Sequence, residues 1–191
     1  MIPFASVEGD GRNGFKIAFV SVGSKIHPED YVMRALREIS AYSRVVAVST
    51  FYKTQFLKSD GTLSYRPEDV FVNGIFAVET SFSCREFRDN VLRKVEQALG
   101  RVRGESKFEA RKIDLDLVLF GTEVCHDADL KLPALDIRSR DFVAVPLLEL
   151  IPHFVMPDTQ QPLSEIAKKT MNTQMRPDME FTGRLRKDIQ K

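Results

Sequence analysis

Two aspartates stand one residue apart in Ile113-Asp114-Leu115-Asp116-Leu117. Alternate residues of a strand face the same side, so both carboxylates share one face while Ile113, Leu115 and Leu117 turn to the core. Their α-carbons lie roughly 6.5–7 Å apart in such a strand. Carboxylates this close repel unless a cation sits between them. Magnesium is held through one or two carboxylates together with substrate phosphates and water, and two such ions can clamp an in-line phosphoryl displacement. An isolated D-x-D is more often a solvated strand face. The stretch just before it, 101–112, favours the chemical reading, because it holds five basic and two acidic residues. Its arginines can fork onto phosphate oxygens and its lysines can act as point charges. Gly100 and Gly104 would let it close as a lid over a polyphosphate.

Other residues speak less clearly. Glu96 falls beside the apolar stripe of its helix and reads as a solvated residue. Asn73 interrupts an apolar strand, where a buried amide must find partners; a flat heterocycle could supply them, and so could a turn at Gly74. Thr54-Gln55 ends a strand and can offer backbone groups to the same ligand. Phe71, Phe108 and Phe142 are more often core than stacking platforms. None of the three histidines neighbours a nucleophile or a metal-ligand cluster, and no G-x-x-x-x-G-K-[ST] occurs.

The elements that must position these groups follow from periodicity. Lys16–Val22 is an apolar strand closed by Gly23. Pro28 opens a helix whose stripe is Val32, Ala35, Leu36 and Ile39. Arg44–Thr54 is a β-branched and aromatic strand, 58–69 a loop, and Val70–Glu79 a third strand broken at Asn73-Gly74. Ser83 and Glu86 form a capping box before the stripe Phe87, Val91, Val95 and Leu99, and Gly100 closes that helix. Ile113–Phe120 is the fourth strand. The order βαββαβ predicts an α+β, ferredoxin-like core: an antiparallel sheet with helices on one face. Phe142–Ile151 and a short helix at Pro162–Lys169 are C-terminal additions. The expected organisation is a loose tail at 1–15, one domain at 16–170 and a mobile tail at 171–191.

The 191 residues carry 28 Lys and Arg against 27 Asp and Glu, a formal charge of +1. That balance argues against a dedicated nucleic-acid or membrane-surface protein. Two cysteines make no disulfide scaffold, and no apolar run reaches a membrane span. A cytoplasmic location, with no nucleic-acid or membrane partner, is the expectation.

In order along the chain stand Val20-Ser21-Val22-Gly23-Ser24, Ser49-Thr50-Phe51-Tyr52-Lys53-Thr54, Phe71-Val72-Asn73, Gly100-Arg101-Val102-Arg103, Arg111-Lys112-Ile113-Asp114-Leu115-Asp116 through Phe120-Gly121, Leu132-Pro133, Arg138-Ser139-Arg140-Asp141-Phe142, Pro146-Leu147 and Pro157-Asp158. Together they resemble the 6-hydroxymethyl-7,8-dihydropterin pyrophosphokinases of folate biosynthesis, over roughly residues 16–168. The resemblance implies transfer of the terminal diphosphate of ATP to the pterin hydroxymethyl group, releasing AMP, with two Mg²⁺ ions. It implies metal binding by Asp114 and Asp116 and catalytic roles for these two with Arg101 and Arg111. ATP would contact Glu96, Arg103, Lys107 and Arg140, and the pterin Thr54, Gln55, Leu57, Phe71, Asn73, Phe108 and Phe142. Neighbouring folate-pathway enzymes are the implied partners.

The chain departs from the family pattern after Leu132-Pro133, where Ala134-Leu135 replaces a histidine and an aromatic, and at Gln55-Phe56, where the family has a Pro pair. Arg93 stands where a Gln is familiar. Nucleotide binding weaker than the family norm is expected, with Lys131 placed to compensate. The rival reading is a non-catalytic pterin- or nucleotide-binding homologue serving as an interaction module. An RNA-binding ferredoxin-like domain fits poorly, since the strands lack paired aromatics.

Overall fold

The computed structural model describes residues 14–57, 63–64, 70–101, 112–171 and 174–190. The N-terminal segment 1–13 and most of the basic loop, 102–111, lie outside them.

Strand β1 (Lys16–Ser24) is central, paired antiparallel with β5 (Val70–Thr80) and with the edge strand β6 (Asp114–Phe120). On the other side of β5 run β2 (Arg44–Val48) and β3 (Tyr52–Leu57), and the two-residue β4 (Leu63–Ser64) pairs with β3. The predicted strand 44–54 is therefore two strands, separated at Ser49, Thr50 and Phe51. β5, by contrast, is unbroken through Asn73-Gly74. Gly74 is bare because the Phe51 ring lies on it: a Cβ there would meet the ring at 2.5 Å.

Helix α1 (Pro28–Ser40) begins with Pro28 in its first turn and buries Val32, Ala35, Leu36 and Ile39. Helix α2 has three parts: a first turn at Cys84–Glu86, a π-helical stretch at Phe87–Leu92 and an α segment at Arg93–Ala98. The capping box is present, with the Ser83 hydroxyl accepting from the Glu86 amide and the Glu86 carboxylate accepting from the Ser83 amide. The strands β7 (Cys125–His126) and β8 (Lys131–Leu132) form a separate hairpin.

The expectation of helices on one face holds for α1 and α2 but not for the whole chain. Short α3 (Asp136–Ser139) leads into α4 (Asp141–Leu150), and α4 with α5 (Leu163–Thr170) covers the opposite face, around Phe19, Ile75, Leu119, Leu147 and Ile166. β1 feeds both layers by alternation: Ala18, Val20 and Val22 face one, Ile17 and Phe19 the other.

The predicted tail at 171–191 is corrected as well. Residues 174–190 form a short strand, β9 (Arg176–Pro177), and a helix, α6 (Met179–Asp188), capped by Asp178. Phe181 and Leu185 are fully buried in the α1/α2 layer, each a burial of about 1.5–3 kcal/mol. Polar composition hid an apolar stripe only two residues long.

Candidate active site

Two paired rows bring the sequence-separated groups together. Gly23 of β1 stands opposite Asn73 on β5 and opposite Asp114 on β6. Residues directly paired across strands face the same side, so Asn73 and Asp114 share a face, roughly 9–10 Å apart at two strand spacings. Only hydrogen lies between them: a Cβ on Gly23 would come within 3.0 Å of the Asn73 side-chain oxygen. Gly23, expected to be a strand-end turn, is instead the floor of a trough.

At one end of the trough the buried Asn73 donates its amide hydrogen to the Thr54 hydroxyl at 2.8 Å. Thr54 is paired with Phe71, which places Thr54, Phe71 and Asn73 on one face. Alternation sends the Gln55 side chain to the other side, so on this face Gln55 offers backbone only. Its side-chain oxygen is buried with no hydrogen-bond partner among the described residues. The face is the one covered by α4, whose half-buried Phe142 packs at the margin of that apolar layer with the Arg140 guanidinium 5.9 Å from its ring. Leu57 ends β3, paired with Leu63.

At the other end lies the acidic pair. Gly100, at φ 83°, closes α2: the Arg101 amide donates to the Glu96 carbonyl and the Gly100 amide to that of Gln97. This double bond pattern through a left-handed glycine ends the helix and turns the chain back. It delivers the Arg101 side chain to Asp114, 2.6 Å from Oδ1, and to the Glu96 carboxylate. Glu96, expected to be solvated, is buried and accepts a hydrogen bond from the Leu115 amide at 2.8 Å. Burial raises the Glu96 carboxyl, opposed by the Leu115 amide and Arg101. Burial works against the Arg101 charge, but Asp114 and Glu96 more than offset it and hold the group fully charged.

Asp116 reaches solvent in the cleft yet is crowded by protein. Burial first, then repulsion from Asp114 and Glu96, push its carboxyl up to about 7. Between about pH 4 and pH 7 the folded chain therefore keeps a proton that the unfolded chain has released. Stability of the cation-free protein should fall as pH rises through that window. Asp116→Asn removes this contribution, so its melting temperature should gain on wild type from pH 4 to pH 7. Parallel pH dependences of the two proteins, followed by thermal denaturation in a chelator, would contradict this.

Asp116 opens onto a cleft of about 440 Å³ along the β6 edge. Besides Arg101 and Glu96 the cleft is lined by Arg88 and Arg93 of α2, Lys131 of β8, Asp129, Asp136 and Ala134. Arg88 is buried and donates to the Asp129 carbonyl at 2.6 Å and to its carboxylate at 2.8 Å, tying the hairpin to the helix. Sequence reasoning missed Arg88; the available signal was a cation beside the helix's apolar stripe. Leu135, on the other side of Ala134, is exposed. Arg140 contacts Asp136, another residue of the cleft, at 3.9 Å. Arg103, Lys107, Phe108 and Arg111 lie outside the described residues.

Among the described residues no cluster of three or more His, Cys, Asp or Glu can hold a metal unaided. The donor set nevertheless suits Mg²⁺, which takes one or two carboxylates and completes its shell with phosphate and water.

A profile of 7,8-dihydro-6-hydroxymethylpterin-pyrophosphokinase (HPPK) matches residues 19–152. The 2-amino-4-hydroxy-6-hydroxymethyldihydropteridine pyrophosphokinase of Haemophilus influenzae is 31% identical over 161 residues, spanning 83% of this chain and 95% of that protein. The folic acid synthesis protein fol1 of Schizosaccharomyces pombe is 36% identical over 160 residues, 81% of this chain but 20% of that protein. In fold, the chain is similar to a Plasmodium falciparum HPPK-DHPS triple mutant, with a TM-score of 0.63 and 12% identity, over 84% of this chain and 46% of that one. A matched segment running from inside β1 through α4 takes in the trough, the acidic pair and the cleft alike, and the chain belongs to the HPPK family, transferring a pyrophosphoryl group from ATP to hydroxymethyldihydropterin in folate synthesis.

Proposed function

We propose that the trough holds the dihydropterin at its Asn73 end, that the cleft holds ATP, and that Asp114 and Asp116 hold two Mg²⁺ ions where the two meet. The observation that carries this reading is the Asn73–Gly23–Asp114 row, in which a bare glycine joins a hydrogen-bonding amide to a carboxylate pair. Asn73 and Thr54 fix the heterocycle edge, and Phe71 and Phe142 lie against its faces. The hydroxymethyl oxygen attacks the β-phosphorus as the bond from that phosphorus to the oxygen bridging to the α-phosphorus breaks. The hydroxyl proton passes to solvent, and AMP leaves with the bridging oxygen. Bound cations supply charge neutralisation on the phosphates.

Arg101, held between Glu96 and Asp114 before substrate arrives, turns its guanidinium to the developing phosphate charge, with Arg111 joining it. Arg88, Arg93, Lys131 and Arg140, with Arg103 and Lys107, neutralise the nucleotide. Lys131 stands in for the missing side-chain hydrogen bond at Ala134. The intact Glu96–Arg101–Asp114–Asp116 constellation leaves the non-catalytic reading without a supporting observation. Among the described residues no helix is long and apolar enough to cross a membrane. A cytoplasmic setting beside other folate-pathway enzymes is the biological part of the proposal.

Incubation with ATP, Mg²⁺ and 6-hydroxymethyl-7,8-dihydropterin should release one AMP per pterin consumed, and a chelator should stop it. Release of ADP, or turnover unaffected by chelation, would overturn the assignment.

A further inference from the structure

We propose that the C-terminal helix α6, outside the matched family segment, is a positioning element of the substrate strand, with Thr182 as its positioning residue. This rests on the reading of Thr54 and Asn73 as the dihydropterin site.

The β2–β3 break explains why such an element is needed. β5 pairs with β2 as far as Val48 opposite Phe76 and resumes with Tyr52 opposite Asn73. Three residues, 49–51, thus face two, and the extra residue must find hydrogen bonds off the ladder. Ser49 stays with β5, its amide donating to the Ile75 carbonyl and its hydroxyl accepting from the Ile75 amide. Phe51 does not. Its amide donates to the Thr182 hydroxyl at 2.9 Å, and its carbonyl accepts from the Asp178 amide at 2.8 Å. Its ring meets Phe181 edge-on at 5.7 Å. β9 then pairs with Tyr52 and Lys53, and the Lys53 ammonium lies 2.7 Å from Asp178. Arg186 holds the Val48 carbonyl on the near side of the break at 3.0 Å.

Both flanks of the break are therefore set by α6 and its cap. Phe51 lies on Gly74, the neighbour of Asn73, and Thr54 follows three residues after Phe51 and receives the Asn73 amide. Loss of the Thr182 hydroxyl leaves the buried Phe51 amide unpartnered, and the cheapest relief is a shift of β3 against β5. That shift moves Thr54 relative to Asn73. The nucleotide cleft, on the β6 edge across two strands, is untouched.

The test measures both Michaelis constants in the full chain. Thr182→Val should raise KM for the dihydropterin about tenfold, leaving KM for ATP and kcat within about twofold, and Thr182→Ser should restore the wild-type value. Phe181→Leu, which keeps the core filled, should move the same constant about threefold. Asn73→Ala serves as the control on the substrate site. If Asn73→Ala raises the dihydropterin KM while Thr182→Val and Phe181→Leu only lower the melting temperature, α6 is a passive prop and the proposal fails with the site intact. If Asn73→Ala leaves that KM unchanged, the substrate-site reading fails and takes the proposal with it.

Discussion

Asp116→Ala should cut kcat/KM for pyrophosphoryl transfer by about a thousandfold or more, a loss of about 4 kcal/mol of transition-state stabilisation. The fold should survive. Asp116 faces the cleft rather than the core, and its charge is repelled by Asp114 and Glu96. Melting at neutral pH should thus be unchanged or higher in the variant, which separates loss of chemistry from loss of structure. Normal turnover in a folded Asp116→Ala protein would show that the carboxylate pair does not carry the reaction.

Arg101→Ala should lower kcat by about a hundredfold to a thousandfold, with a smaller rise in KM for ATP. The size follows from two roles in one side chain. Before substrate binds, Arg101 compensates the buried Glu96 and Asp114. In the reaction it faces the phosphate charge. Removing it leaves Glu96 with the Leu115 amide as its remaining hydrogen-bond donor among the described residues. Stability should fall too, most at a pH where Glu96 must be ionised. Arg101→Lys keeps a charge that can meet both carboxylates, as the single Nη1 of Arg101 does, but loses the planar fork that suits a phosphate, so it should recover the stability better than the rate. A loss of kcat in Arg101→Ala larger than its rise in KM for ATP, with Arg101→Lys restoring more of the stability than of the rate, fits these roles; wild-type kcat in Arg101→Ala would contradict them.

What could be read from sequence follows the range of the interactions involved. Asp114 and Asp116 were legible because strand alternation is local, and the apolar Leu115 and Leu117 between and after them fixed the face. The Ser83–Glu86 capping box and the Pro28 helix start are equally local. Glu96 was not legible: what buries it is the Leu115 amide on a strand nineteen residues later, together with an arginine delivered by a glycine cap. Gly23 failed for a related reason. Its closeness to Asn73 exists only once β1 and β5 are paired. The helix at Met179–Asp188 was missed because its two core residues, Phe181 and Leu185, make too short a stripe to outweigh the polar residues around them. The cations of the cleft were half visible, in Lys131, while Arg88 reads as any helix surface cation until the hairpin closes on it.

The central claim is that Asp114 and Asp116 hold the divalent cations that accompany ATP. Manganese binding followed by electron paramagnetic resonance, in the presence of a non-hydrolysable ATP analogue, tests it directly, because the bound ion can be counted without turnover. Wild-type protein with the analogue should immobilise two manganese ions, and Asp116→Ala and Asp114→Ala should each lose at least one under the same conditions. Equal manganese binding in wild type and both variants would contradict the account.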